Sequence, residues 1–407
     1  MQEQYPQEDR RQGARIIAFG FIATFVSSFG QTFFLGLFSP QFEAATGAGG
    51  ARLGMLYGLA TLVSGSLLFW LGGALDRVPL RRAIVVASGI YLAGSLLAGS
   101  VGTQAGLLAA FFLLRLGGQG LMSHLGIVTA ARGGGRRKGA MIAWASMGVI
   151  LGEAVLPAVV LAAVAVVQWR WLWHGVSAAL LCVVLPALLL FGRGLPWRVA
   201  VDDASTPQPS IGQRRVLLRQ PAFWAGSALL LAPPFMATGF LFEQAAISRS
   251  MHWSPQSIGA AFMVFALSRA LGTWGYGRAA DRFGALRMAR LHLLPMALAF
   301  ASLALPLGGA SIWAAFAGVG FTAGANSVLG GAVWVDLFGA ASIGLVRGVF
   351  VACTVLATAV APAVTALMLS AQLGAGAVGL AFAAYCVLAS LLAGPALLRR
   401  GGLTTTD

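Results

Sequence analysis

Charge is what this chain of 407 residues has least of. Asp, Glu, Lys and Arg together make up 10% of it, against about 25% in an average soluble domain. That leaves too few polar side chains to cover a water-facing globule, and a mean hydropathy of +0.83 points to a bilayer as the solvent. Cysteine is also scarce. Cys182, Cys353 and Cys386 all lie in apolar runs, which excludes a disulfide framework and leaves small core residues. There are four histidines, and no His/Cys/Asp cluster or phosphate-binding loop is visible. An enzyme needs converging nucleophile, acid–base or metal groups. Their lack argues against catalysis, a metal or a cofactor.

What the chain has instead is long apolar runs. About 30 Å of hydrocarbon at 1.5 Å per residue calls for roughly 20 residues per helix. Twelve such runs can be marked, at 15–38, 52–73, 83–102, 106–130, 139–166, 174–192, 221–247, 258–277, 289–307, 311–335, 348–370 and 376–397. They predict an all-α membrane protein of twelve helices. The first run lacks a convincing small-x-small cleavage site, so it reads as helix 1 and not as a removable signal.

Basic residues outnumber acidic ones 27 to 12, a balance that in a soluble protein would raise the question of nucleic acid. Their placement answers it. With the N-terminus in the cytoplasm, 22 of the Lys and Arg residues fall in cytoplasmic segments and three, Arg52, Arg170 and Arg249, in outer loops. Two, Arg115 and Arg269, lie inside the membrane. This positive-inside asymmetry predicts cytoplasmic termini and an inner-membrane protein. No nucleic-acid role is needed to explain the charge.

The longest polar stretch, residues 193–220, is rich in Pro, Ser, Thr and Asp and reads as a cytoplasmic linker. It separates six helices, residues 1–192, from six more, residues 221–407. "GGALDRVPLRR" (Gly72–Arg82) lies between helices 2 and 3. A near copy, "GRAADRFGALR" (Gly277–Arg287), lies 205 residues later between helices 8 and 9. The halves are therefore parallel repeats about an axis along the membrane normal.

Gly72, Asp76, Arg77, Arg81 and Arg82 in the first copy, and Gly277, Asp281, Arg282, Gly284 and Arg287 in the second, resemble the loop signature G-x-x-x-D-R-x-G-R-[RK] of the major facilitator superfamily of secondary transporters. "RLGGQG" (Arg115–Gly120) resembles that family's helix-4 pattern R-x-x-x-Q-G. The resemblance spans the whole chain. It implies two six-helix bundles, alternating access, and a gate at Gly72, Asp76, Arg77, Gly277, Asp281 and Arg282. Physically, Gly72 or Gly73 allows close helix approach, and Asp76 can face the positive N-terminal end of a helix in its own half. A plain topology anchor would explain Arg81 and Arg82 equally well. Pro79 stands where the signature has Gly. Proline cannot take a positive φ, so that turn must depart from the family pattern.

Ionisable groups at membrane depth are functional candidates by default. Arg115 lies nine residues into helix 4, about 14 Å deep, and Glu153 fourteen residues up helix 5, about 21 Å. These are similar depths on consecutive antiparallel helices, so the two can pair, either as a structural brace or as a proton or substrate switch. The resemblance favours proton coupling. Arg269, about eleven residues into helix 8, has no acid nearby on helix 7 except Glu243 near the outer end. It is expected to lack a full-time internal partner and to be a substrate-anion contact, with bonds to helix-end carbonyls or to Glu243 as alternatives.

Further substrate-binding candidates are Gln31, Tyr57, Met236, Phe240, Asn326, Thr354 and Thr358, with packing the commoner role for the Met and aromatic residues. His124 reads as a packing residue that can titrate near neutral pH. Pro157, Pro362 and "APPF" (Ala232–Phe235) are expected to bend helices 5, 11 and 7.

"GQTFFLGLFSPQF" and "RRKGAMIAWASMGVILGEAVLP" resemble bacterial monocarboxylate and oxalate/formate carriers. Those place a substrate arginine where Thr273 stands here, with Arg269 one turn deeper. Helix 5 lacks the G-P-x-x-G-G-like pattern of drug antiporters, and Met236 and Met263 lack the i, i+4 Met/His partners of copper importers. The expectation is a monomeric, proton-linked carrier of a small organic anion. The alternatives are an exporter of amphipathic compounds or a non-transporting assembly factor.

Overall fold

The computed structural model describes residues 7–197, 211–339 and 342–401. These are almost wholly helical, and twelve helices are long and apolar enough to cross a membrane. They are α1 (Arg11–Leu37), α2 (Gly50–Leu75), α3 (Leu80–Ser100), α4 (Gln104–Gly133), α5 (Lys138–Val164), α6 (Trp169–Phe191), α7 (Pro221–Phe242), α8 (Pro255–Phe283), α9 (Ala285–Ala304), α10 (Gly308–Phe338), α11 (Ile343–Ala371) and α12 (Gly374–Ala393). Each predicted run falls on one of them.

Their ends follow local chemistry. The side chain of Thr103 accepts from Gly106 N ahead of α4, and that of Ser254 accepts from Ser257 N ahead of α8, each at 3.1 Å. Such caps satisfy amides that the first helical turn leaves open. Pro221 and Pro255 start α7 and α8, where a missing N–H does no harm.

The chain forms two compact units. The first holds residues 1–49 and 59–206, and the second residues 50–58 and 207–407. The boundary thus differs from a simple cut at the polar linker, because the first nine residues of α2 belong with the second unit. There, backbone atoms of Pro362 and Ala363 lie 2.8–2.9 Å from where a Cβ on Gly54 would be. The linker begins with ordered turns up to Trp197 and ends in a short helix, Ile211–Leu218. Its centre, 198–210, lies outside the described residues.

Small residues set the tightest packing. In the first unit, α5 meets α1 along Ala145, Gly148 and Gly152, and a Cβ on Gly148 would lie 2.7 Å from Phe25 N. In the second, α8 meets α10 through Gly272, Gly320 and Gly324. Apolar lipid gives helices no hydrophobic reason to associate, so close van der Waals approach takes its place.

Two helices are interrupted. α7 breaks at Leu231, and its second piece starts with the paired prolines of "APPF", as proline chemistry predicts. α1 breaks at Ser28–Gln31 without any proline. Pro157 and Pro362, by contrast, sit inside continuous helices. Each leaves the carbonyl four residues earlier without its usual donor: that of Glu153 in α5 and that of Thr358 in α11. Both pairs of positions are 205 residues apart.

Candidate functional site

The first unit gathers buried charge at the interruption of α1. The helix stops at Ser27, makes one tight turn over Ser28–Gly30, and resumes at Thr32. Gln31 between the pieces is extended, with φ −80° and ψ 155°. Arg115 of α4 reaches this break. It is 6% exposed and its Nη1 donates to Thr32 Oγ1 at 3.3 Å. The stretch Arg115–Met122 is wound as a π-helix, a form concentrated at functional sites. A Cβ on Gly30 would lie 3.0 Å from Gly118 Cα, so the break in α1 seats directly on this bulge.

Glu153 of α5 is 8% exposed. The residue before it, Gly152, is so close to α1 that a Cβ there would lie 2.8 Å from Ser28 Cβ. Arg115 and Glu153 are each engaged by side-chain interactions. A guanidinium, a carboxylate, the Thr32 and Ser28 hydroxyls, the Gln31 amide and the freed Glu153 carbonyl are therefore carried by three helices that meet at one break.

The second unit holds the remaining candidates and sorts them. Arg269 is half-buried on α8 and is not without a partner. This corrects the expectation that it lacks one. An intramembrane arginine is costly enough that the fold satisfies it. Thr273 donates to the Arg269 carbonyl at 2.9 Å. Met236 is 3% exposed with its Sδ 3.5 Å from Cys386 Sγ. Phe240 is 1% exposed, and its ring lies 5.8 Å and 5.1 Å from those of Phe300 and Phe316, nearly perpendicular to the first. Both are core residues of the second unit, the commoner role for such side chains.

Tyr57 is fully buried, its ring 4.3 Å from that of Phe242. Thr354 and Thr358 turn back on their own helix, donating to Phe350 O and Thr354 O, each at 2.9 Å. Asn326 is half-buried beside His292 of α9. That histidine is fully buried, and its Nδ1 is hydrogen-bonded to Ala289 O at 2.6 Å.

The two loop copies differ. Asp76 sits just past the end of α2. His124 Nε2 lies 3.0 Å from its Oδ1, and Arg132 Nη2 donates to its Oδ2 at 2.8 Å. The expected helix N-terminus is thus replaced by two side chains of α4, one on each carboxylate oxygen, because a full charge in hydrogen-bond reach outcompetes a partial helix-end charge. Trp197 closes the cluster. Its Nε1 donates to Val78 O at 3.0 Å and its ring lies 5.2 Å from the Arg132 guanidinium. Arg132 also donates to the Trp197 carbonyl.

Gly72 is not forced by crowding, since a Cβ would meet His124 at an ordinary 3.6 Å, and Gly277 faces open space. In the second copy Asp281 is exposed and makes no ion pair among the described residues. Arg282 is exposed over the ring of Phe283, at 5.3 Å.

The sequence profile of the Major Facilitator Superfamily matches residues 20–242, more than half of the chain. The chain belongs to this superfamily. The fold agrees. The nucleoside transporter NupG superposes with a TM-score of 0.71 at 15% identity, over 95% of this chain and 99% of that one. Its D323A mutant gives 0.73 at 14% identity over the same shares. A bacterial homologue of the human lysosomal transporter Spinster, solved inward-facing and unoccupied, gives 0.66 at 16% identity, over 96% and 98%. No curated relative matches the sequence.

As a superfamily member the chain is a multi-pass membrane transporter and not an enzyme. Among the described residues no His/Cys/Asp/Glu group is placed to hold a metal, and the three cysteines are free. Several residues that make the contacts described above are not marked by the sequence. Ser28, Thr32 and Trp197 carry no charge. Arg132 was counted only as a topology residue, and His292 lies in an otherwise apolar run. The helix-4 motif, Glu153 and Gln31 pointed toward the region of the break in α1, but not to the break itself.

Proposed function

We propose that the protein is a proton-coupled secondary transporter of a small organic anion, working by alternating access as a monomer in the inner membrane with both termini in the cytoplasm. The observation that carries this reading is the burial of Glu153 and Arg115 at the interruption of α1. A carboxylate buried on α5, one residue from the point where that helix meets the break, in a unit that also buries a guanidinium there, is suited to change partners between its protonated and ionised forms. Interrupted helices of this kind also supply binding groups in secondary transporters.

In this reading Glu153 and Arg115 couple proton movement to the solute. Arg269 and Gln31 face the solute's charged and polar groups, with Tyr57 and Thr358 as further contacts. Met236 and Phe240 support the second unit from within, and Asn326 is oriented by His292. Asp76, held by Arg132 and His124 in the first unit, and Asp281 and Arg282 in the second are gating residues, as are Gly72, Arg77 and Gly277. The kinship with monocarboxylate and oxalate/formate carriers is supported by the α1 and α5 stretches alone.

The test starts with a screen of small carboxylates and other organic anions for thermal stabilisation of the purified protein. Uptake of the hits into liposomes is then measured with and without a pH gradient. Accumulation that follows the gradient supports the proposal, and flux that ignores it overturns the proton coupling. Undiminished binding of the hit by Arg269→Ala removes the anion assignment.

A further inference from the structure

The first unit contains a cavity that the transport reading does not use. It has a volume of about 770 Å³ and opens at the end of the bundle that carries the basic loops. The start of α3 supplies Leu80, Arg81 and Ile84, and the end of α6 with the turn after it supplies Leu189, Arg193 and Trp197.

The turn is firmly built. Arg15 donates to the carbonyls of Phe191, at 3.3 Å, and of Arg193. Leu195 N donates to Gly192 O at 3.3 Å, Gly194 takes φ +69°, and Trp197 is pinned to Val78 O. These bonds fix where Arg193 begins. Arg81 and Arg193 are themselves exposed, and among the described residues neither guanidinium makes a hydrogen bond or ion pair. In the same unit, Arg15 and Arg132 are satisfied by carbonyls or a carboxylate.

The other wall is apolar. Leu80 is 8% and Ile84 1% exposed. Along the same two helices, Val85, Val86, Val183 and Leu190 are 45–65% exposed, an apolar surface suited to lipid. Two open guanidiniums above an apolar wall, at the edge of a lipid-facing surface, match an amphipathic anion. A small soluble anion would use the arginines and gain nothing from the wall.

We infer that this cavity binds the headgroup of an anionic phospholipid. The phosphate lies between Arg81 and Arg193, and the acyl chains run down the outside of α3 and α6. Arginine pairs phosphate oxygens through parallel N–H bonds, and basic pockets between membrane helices are suited to lipid headgroups. The site is independent of which solute is carried.

The test uses the full-length protein in detergent and native mass spectrometry with added phosphatidylglycerol, phosphatidylcholine or glycerol phosphate. We expect phosphatidylglycerol to be retained in preference to the other two. The double variant Arg81→Gln/Arg193→Gln should weaken its binding roughly tenfold or more, on the usual contribution of two basic residues near an anionic lipid. Arg82→Gln/Arg287→Gln removes the same charge outside the cavity and should leave binding unchanged. As a second readout, brominated phosphatidylglycerol should quench the wild-type protein more than Trp197→Phe. Equal loss in both double variants, no preference over phosphatidylcholine, or full competition by glycerol phosphate would each overturn the assignment.

Discussion

Gly72–Arg82 and Gly277–Arg287 carry one sequence pattern, yet the fold builds them differently. In the first copy the helix ends at Leu75, and Asp76 is drawn into a cluster with His124, Arg132 and Trp197. In the second the helix runs on to Phe283, and Asp281 stays exposed in its last turn. The turns diverge at equivalent positions. Pro79 has φ −57° and ψ 140°, while Gly284 has φ +87° and ψ 141°. With ψ shared and φ opposite in sign, the chain enters α3 and α9 along different paths. Proline cannot take the glycine's path, and the path it does take presents the Val78 carbonyl to Trp197. The repeat therefore preserves helix order and loop position, and the chemistry of each loop is set by its turn residue and by the side chains that reach it from elsewhere in its unit.

Substitutions at matched positions can break or sharpen this contrast, with stability read by thermal melting of the purified protein. The largest effect is expected for Asp76→Ala. It leaves Arg132 beneath Trp197 without its carboxylate and should destabilise by about 2–3 kcal/mol, the scale of a charge-assisted bond lost with its partner left behind. Asp281→Ala should stay within about 0.5 kcal/mol, as surface changes do. Equal losses would contradict the contrast. Next comes Gly284→Ala, which forces a side chain into positive φ and should cost about 1–3 kcal/mol. Trp197→Phe removes one N–H bond while keeping a ring over Arg132, for a loss of about 1 kcal/mol. The smallest loss expected at a turn residue, above only the Asp281→Ala control, is that of Pro79→Gly, about 0.5–1 kcal/mol through a looser unfolded chain. A larger loss there would show that the proline is strained into place.

The length of the apolar runs located all twelve spans, because hydrocarbon thickness sets a length that composition reveals directly. Arg115 and Glu153 were legible for a related reason, since charge is so rare in these runs that each instance stands out. The interruption of α1 was not. No proline marks "SSFGQT", and the break is imposed by the approach of Gly30 to α4 and of Gly152 to Ser28, which are contacts between distant segments. The packing partners of Met236 and Phe240 were not legible, because a helix pattern shows that a side chain is apolar without showing which neighbour it meets. Arg132 was hidden by its neighbours, because in a basic loop every arginine serves topology and nothing in the sequence distinguishes the one that holds Asp76.

The central claim is that Glu153, buried beside the break in α1, links solute movement to a proton gradient. The most direct measurement compares two fluxes through Glu153→Gln in liposomes, using a solute found in the anion screen: exchange of that solute at equal concentrations, and accumulation driven by a pH gradient. The account predicts that exchange persists while gradient-driven accumulation is lost. Accumulation at the wild-type level in Glu153→Gln would contradict it.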